Sequence, residues 1–267
     1  MKIYVLGCKG KIERSVAAEI LTIMNETLYA FDFERQFDDR AANEWFQEYS
    51  GLSFVFSGTY AAGIYFGRVF MKDRQKFDLR TPLMLWSLCL AVFSAIGAVR
   101  TIWYVFNLLS LDGFHQTVCD TAFFGDTVSK FWAFAFTISK VPELVLLYTW
   151  YSYRDRVAGG CWFMSMNYTV HAVMYGYYAA KAGGLRVPRP VAVLITALQI
   201  VQMIVGFSLM GLVFRWRDEV HCVANTNNLM YGSLMYLSYL LLFASFFYQS
   251  YIRGAAGPDH KRPMKRE

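Results

Sequence analysis

The sequence predicts an all-α, polytopic membrane bundle, and three observations carry that prediction. The 267 residues are 56% apolar and 18% aromatic but only 17% charged, against about 25% charge in an ordinary soluble domain. The apolar residues are gathered into long continuous blocks, which favours helices over the alternating strands of a barrel. Lysine and arginine crowd the ends of those blocks, where topology determinants belong. The net charge of +6 therefore reads as topology, and nucleic acid is not an expected partner.

A bilayer core of about 30 Å takes roughly 20 apolar residues per helix. Six apparent spans meet that need, near 52–70, 82–108, 128–152, 159–181, 191–214 and 229–252. They divide the chain into a non-membrane segment at 1–50, a bundle at 51–253 and a basic tail at 254–267. The first segment is mixed in charge and is expected outside the membrane, in part as a surface helix. Asn25-Glu26-Thr27 within it matches a glycosylation sequon.

Arg68, Lys72, Arg74, Lys76 and Arg80 follow the first span, so that connection is expected in the cytoplasm. The connection at 109–127 has no Lys or Arg and carries Asp112, Asp120 and Asp126, so it is expected on the opposite side. If 128–152 is one ordinary crossing, the remaining basic residues divide almost evenly between the two sides. One additional crossing there restores the bias: in the connections and tail after the first span, thirteen Lys and Arg fall on the cytoplasmic side against four. The charges therefore fit seven crossings.

The stretch 128–152 is itself a poor span. Lys140 and Glu143 lie inside it, and each costs up to about 3 kcal/mol at a helix centre. Pro142 between them removes a helical hydrogen bond. Either 128–153 forms a re-entrant hairpin that preserves the seven-span orientation of the later helices, or the later half of the chain is inverted.

Chemistry is expected where polar residues interrupt apolar blocks. Lys140 and Glu143, three apart, share a helix face; they form either a mutually neutralising pair or a substrate-facing site. Asn167 and His171 are four apart, Tyr175 and Tyr178 continue that face, and Tyr177 lies beside it. An imidazole there can serve as base, nucleophile or hydrogen-bond donor to an acyl carbonyl. Thr196, Gln199 and Gln202 recur at three-residue spacing, suited either to interhelical hydrogen bonds or to lining a tunnel. The basic connections can meet phosphates or simply set topology. Cys119 and Cys222 both fall in connections; they pair if both face an oxidising compartment, and otherwise remain free thiols.

The four histidines stand at 115, 171, 221 and 260. No two lie within four residues, so no helical metal site of the HxxH type is expected. Phosphate-cradling glycine loops and a serine nucleophile elbow are also absent from the sequence.

These residues resemble the very-long-chain fatty acid elongases, the ELO condensing enzymes, over almost all of 28–253. The similarity is greatest to the subgroup that extends saturated and monounsaturated chains of palmitate length. The family pattern KxxExxDT is begun by Lys140 and Glu143. HxxMYxYY is met by His171, Met174, Tyr175, Tyr177 and Tyr178, and TxxQxxQ by Thr196, Gln199 and Gln202. After Leu144 the family continues with Asp-Thr, a basic connection and a helix bearing HxxHH. Here Leu144 runs straight into Val145, as though roughly two dozen residues and halves of two spans were missing. Alternative splicing and an error in the assembled gene account for this equally.

The resemblance implies a 3-oxoacyl-CoA synthase of the endoplasmic reticulum membrane. Such an enzyme condenses acyl-CoA with malonyl-CoA, releasing CO2 and CoA, and needs no tightly bound cofactor. It implies that Lys140, Glu143, Asn167, Tyr175, Tyr177, Tyr178, Thr196, Gln199 and Gln202 surround the substrate and that His171 is catalytic. It also places Cys119 and Cys222 together on the lumenal side. Without HxxHH the chain is expected to be impaired. The alternative is an inactive variant that binds acyl-CoA, or that forms homo- or hetero-oligomers with elongation enzymes and modulates them.

Overall fold

A computed structural model describes residues 30–75, 77–141, 145–219, 222 and 224–253. Asn25, Glu143, Leu144 and the tail at 254–267 lie outside the described residues. Helix α1 covers Asp32–Gln36, α2 Asp39–Glu48, α3 Leu52–Phe70 and α4 Arg80–Cys119. A 3-10 turn, Ala122–Phe124, leads to α5 at Ser129–Ser139 and α6 at Leu146–Arg154. Helices α7 (Gly160–Ala182), α8 (Arg189–Trp216) and α9 (Thr226–Phe247) complete the bundle, and α9 ends in a π-turn at Tyr248–Ile252. No strand occurs among the described residues.

Three helical stretches are both long and apolar enough to cross a membrane: Arg80–Cys119, Arg189–Trp216 and Thr226–Ile252. Helices α3 and α7, with 19 and 23 residues, have the length but carry more polar side chains. Local signals set the ends. Asp38 caps α2 by accepting from the N–H groups of Arg40 and Ala41, both at 3.0 Å, and Asn225 caps α9. Proline opens α8 at a position where its missing N–H leaves no bond unmade. Gly113 breaks α4 with φ 82° and ψ 174°, a conformation open to glycine and strained for other residues.

Helices α4 and α7 pack antiparallel along their lengths. Trp162 Nε1 donates to Thr117 Oγ1 at 3.0 Å near one end, and Gly183 approaches Met84 near the other. At mid-height Gly97 lies directly beneath the Tyr168 ring; a Cβ at that position would meet the ring at 2.6 Å. Helices α8 and α9 repeat the arrangement, with Gly206 against Tyr236.

The stretch 128–152 is corrected by the structure: it is not one span. Helix α5 has 11 residues and α6 has 9, about 17 Å and 14 Å at 1.5 Å per residue, so neither crosses. They form a re-entrant hairpin, because the chain enters and leaves at the same end. Phe124, before α5, meets Tyr153, at the end of α6, with ring centroids 5.9 Å apart. Asn43 Nδ2 donates to the carbonyls of Tyr153 and Arg154 at 3.3 and 3.1 Å. Helix α5 stops at Ser139, with Lys140 as its C-cap; Pro142, like Glu143, lies outside the described residues.

The expected bond between Cys119 and Cys222 is formed, with Cα atoms 4.5 Å apart. It joins the end of α4 to the α8–α9 connection, which places both on one side of the bundle, as the hairpin requires. The basic connections at 71–79 and 183–188 lie at the opposite end.

Residues 30–50 pack into the body of the protein. Phe46 of α2 is fully buried between Trp150 and Tyr153, at centroid distances of 4.4 and 4.7 Å. Trp150 Nε1 donates to the Phe46 carbonyl at 3.0 Å. Glu34 of α1 is also fully buried. It accepts from Arg100 Nε at 2.9 Å, from Arg100 NH2, from Trp132 Nε1 at 2.6 Å and from the Phe31 N–H at 2.8 Å. An Asp39–Arg156 ion pair at 2.6 Å closes the same end.

Candidate functional site

Between the hairpin and helices α7, α8 and α9 lies a cavity of about 380 Å³. Apolar blocks build its walls and only a few polar groups converge on it, as in most small-molecule sites. Lys140 reaches it from the end of α5. Asn167 and His171 come from α7, and Gln199 and Gln202 from α8. Helix periodicity explains the convergence: residues three or four apart share a face, so each helix contributes its polar pair to one side.

The Lys140 amine is 3.4 Å from His171 Nδ1 and 4.9 Å from the centre of the Phe136 ring. Only 4% of Lys140 is exposed. The Tyr175 ring meets His171 edge-on, with centroids 5.3 Å apart and planes at 88°. Gln199 Nε2 approaches Met174 Sδ at 3.1 Å. The Asn167 side-chain oxygen is buried and has no hydrogen-bond partner among the described residues, so a bound molecule offering a donor would satisfy it.

Five of the residues expected around a substrate thus meet on one cavity: Lys140, Asn167, His171, Gln199 and Gln202. Tyr175 instead borders a much smaller void beside Lys140 and His171. The Tyr177 ring packs at a tilt against Tyr178 and lies under the Lys181 ammonium at 5.4 Å, and neither tyrosine lines the cavity. Thr196 donates to the Ala192 carbonyl and sits 3.4 Å from the Tyr251 hydroxyl, a contact between helix ends rather than a wall. Three-residue spacing is slightly tighter than a helical turn, so the run 196, 199, 202 also advances along the bundle and leaves its first member near the basic end.

Sequence reasoning missed Tyr60, Tyr148, Ser152, Tyr236 and Tyr239, all of which line the cavity. Tyrosines in apolar aromatic runs carry no periodic signal. Thr149 and Ser152, three apart on α6, did carry one. Among the described residues no three His, Cys, Asp or Glu side chains gather as metal ligands.

The ELO (GNS1/SUR4) family profile matches residues 45–146 and 144–258 of the chain. The chain is 50% identical to the very long chain fatty acid elongase 6 of Gallus gallus over 249 residues, covering 85% of this chain and 94% of that protein. It is 49% identical to the Homo sapiens protein of the same name over 249 residues, with the same two coverages. With Homo sapiens very long chain fatty acid elongase 3 it shares 38% identity over 253 residues, covering 86% of this chain and 93% of that protein.

Proposed function

The chain belongs to the ELO family and is a multi-pass membrane protein; on that premise we propose that it receives a long-chain acyl-CoA in the cavity beside His171 and condenses it poorly or not at all. Fatty acid elongation is the function its relatives' names carry. The family reaction is the work of a 3-oxoacyl-CoA synthase. Malonyl-CoA loses CO2, its C2 carbon attacks the acyl thioester, and CoA leaves. The endoplasmic reticulum membrane is the location we assign, and acyl-CoA and malonyl-CoA are the ligands.

The observation that carries the binding half is the meeting of Lys140, Asn167, His171, Gln199 and Gln202 on one cavity. The acyl chain suits its apolar walls, and the thioester suits its polar patch. A second observation supports the impairment. The family match falls into two pieces that meet at 144–146. The 249 matched residues correspond to about 227 residues of this chain, 85% of 267, so about two dozen positions have no counterpart. No HxxHH lies anywhere in the sequence. Catalytic groups that act as a unit lose several orders of magnitude in rate when one member is removed.

Microsomes carrying the chain are expected to incorporate radiolabelled malonyl-CoA at the empty-vector level. Clear elongation of palmitoyl-CoA would overturn the impairment. A non-enzymatic reading is favoured by the same intact cavity: the chain binds acyl-CoA, or joins full-length elongases, and lowers their flux. Co-expression with an intact elongase tests it, since reduced flux with co-purification supports the reading and unchanged flux rejects it.

A further inference from the structure

His171 has two ring nitrogens, and their partners differ. Nδ1 lies 3.4 Å from the Lys140 amine. No hydrogen bond to Nε2 occurs among the described residues. A lysine ammonium carries three donors and no acceptor, so the nitrogen it meets must present a lone pair. In a neutral imidazole that leaves the proton on the other nitrogen. The pair is well held on both sides. Lys140 is fixed by the end of α5 and by the Phe136 ring below its amine, and the Tyr175 edge abuts the imidazole.

We propose that Lys140 is a positioning residue that fixes His171 as the neutral Nε2–H tautomer, so that His171 offers the acyl thioester carbonyl a hydrogen-bond donor. The donor role rests on the reading that the cavity receives acyl-CoA; the tautomer does not. The consequence narrows the chemistry. An imidazole with Nδ1 engaged and Nε2 protonated has no free lone pair. It can polarise a carbonyl, but it can neither take a proton nor attack carbon. Of the three roles open to such a residue, base, nucleophile and donor, only the last remains.

The test uses full-length protein in nanodiscs with 15N-labelled histidine, with the His171 signals assigned by their loss in His171→Phe. The expected spectrum has an unprotonated Nδ1 and a protonated Nε2. Lys140→Met is expected to shift the ring toward a tautomer mixture, whereas Lys140→Arg, which keeps donors and lacks an acceptor, retains the wild-type signature. A protonated Nδ1 in the wild type overturns the proposal, as does an unchanged spectrum in a Lys140→Met protein that still forms the Cys119–Cys222 bond. If Lys140→Met fails to fold, the wild-type and Lys140→Arg spectra decide. A second arm adds palmitoyl-CoA labelled with 13C at its carbonyl and follows the carbonyl stretch by infrared difference. A lowered stretch that returns to its free position in His171→Phe supports the donor role. Saturable binding with an unshifted stretch overturns that role but leaves the cavity reading standing. Absence of saturable binding removes the cavity reading, and the nitrogen spectra then judge the tautomer alone.

Discussion

The disulfide end and the cavity half of this protein are built on opposite plans. At the disulfide end, two short helices, a 3-10 turn and the open ends of the hairpin interlock through charge and aromatic contacts, which extend to mid-height where Glu34 is held by Arg100 and Trp132. Phe46 and Trp150 have no exposed surface there. The cavity half keeps an empty volume and an unsatisfied Asn167 oxygen. Close packing and full polar satisfaction stabilise a fold, whereas a ligand site needs room and unmet bonds. The comparison teaches that tight packing and candidate chemistry are concentrated in different regions that share α6, where Trp150 is buried while Thr149 and Ser152 line the cavity, so substitutions should sort by region.

The largest effect is expected from Arg100→Met, which leaves the buried Glu34 carboxylate without its cation. Breaking a buried pair in this way costs about 3–5 kcal/mol, readable as a lowered unfolding temperature of the detergent-solubilised protein. Next comes Cys119→Ser with Cys222→Ser. The bond closes a separation of 103 residues, and its loss is expected to cost about 2–5 kcal/mol while also loosening the α8–α9 connection to protease. Gly97→Ala tests the tight α4–α7 seam between the two ends. The new Cβ must push the Tyr168 ring aside, costing about 1–3 kcal/mol.

The smallest effect on stability, and the one that sharpens the contrast most, belongs to Asn167→Leu. Removing a buried acceptor with no partner among the described residues is expected to leave stability within about 1 kcal/mol of wild type, or to raise it. The same change should abolish the stabilisation given by saturating palmitoyl-CoA, which for a ligand at a hundred times its Kd amounts to about 2.7 kcal/mol. A large loss of stability from Asn167→Leu, or none from Arg100→Met, would break the division between the two ends.

Much of this was legible in the sequence, for reasons that can be named. Long apolar blocks report helices of spanning length because burial in lipid leaves few other solutions. The charge imbalance around 128–152 and the presence of Lys140 and Pro142 pointed to a crossing that fails there, and the hairpin is its physical form. His171 and Asn167 were visible because polar side chains at helical spacing stand out in an apolar field. The Glu34–Arg100–Trp132 node was not visible: its members are separated by 66 and 98 residues, and nothing local marks them as partners. Tyr148 and Tyr236 were hidden for a different reason. An aromatic residue serves equally as core, lipid contact or cavity wall, and only the fold decides among these.

Two full-length helices, α7 and α8, separate Cys119 from Cys222, and the hairpin before them adds no crossing. The sulfurs can therefore meet only in a molecule whose third apolar block turned back instead of passing through. A copy in which that block went straight across would carry the two thiols on opposite faces of the bilayer, unable to react with each other. The oxidation state of this one bond thus records how each molecule was threaded.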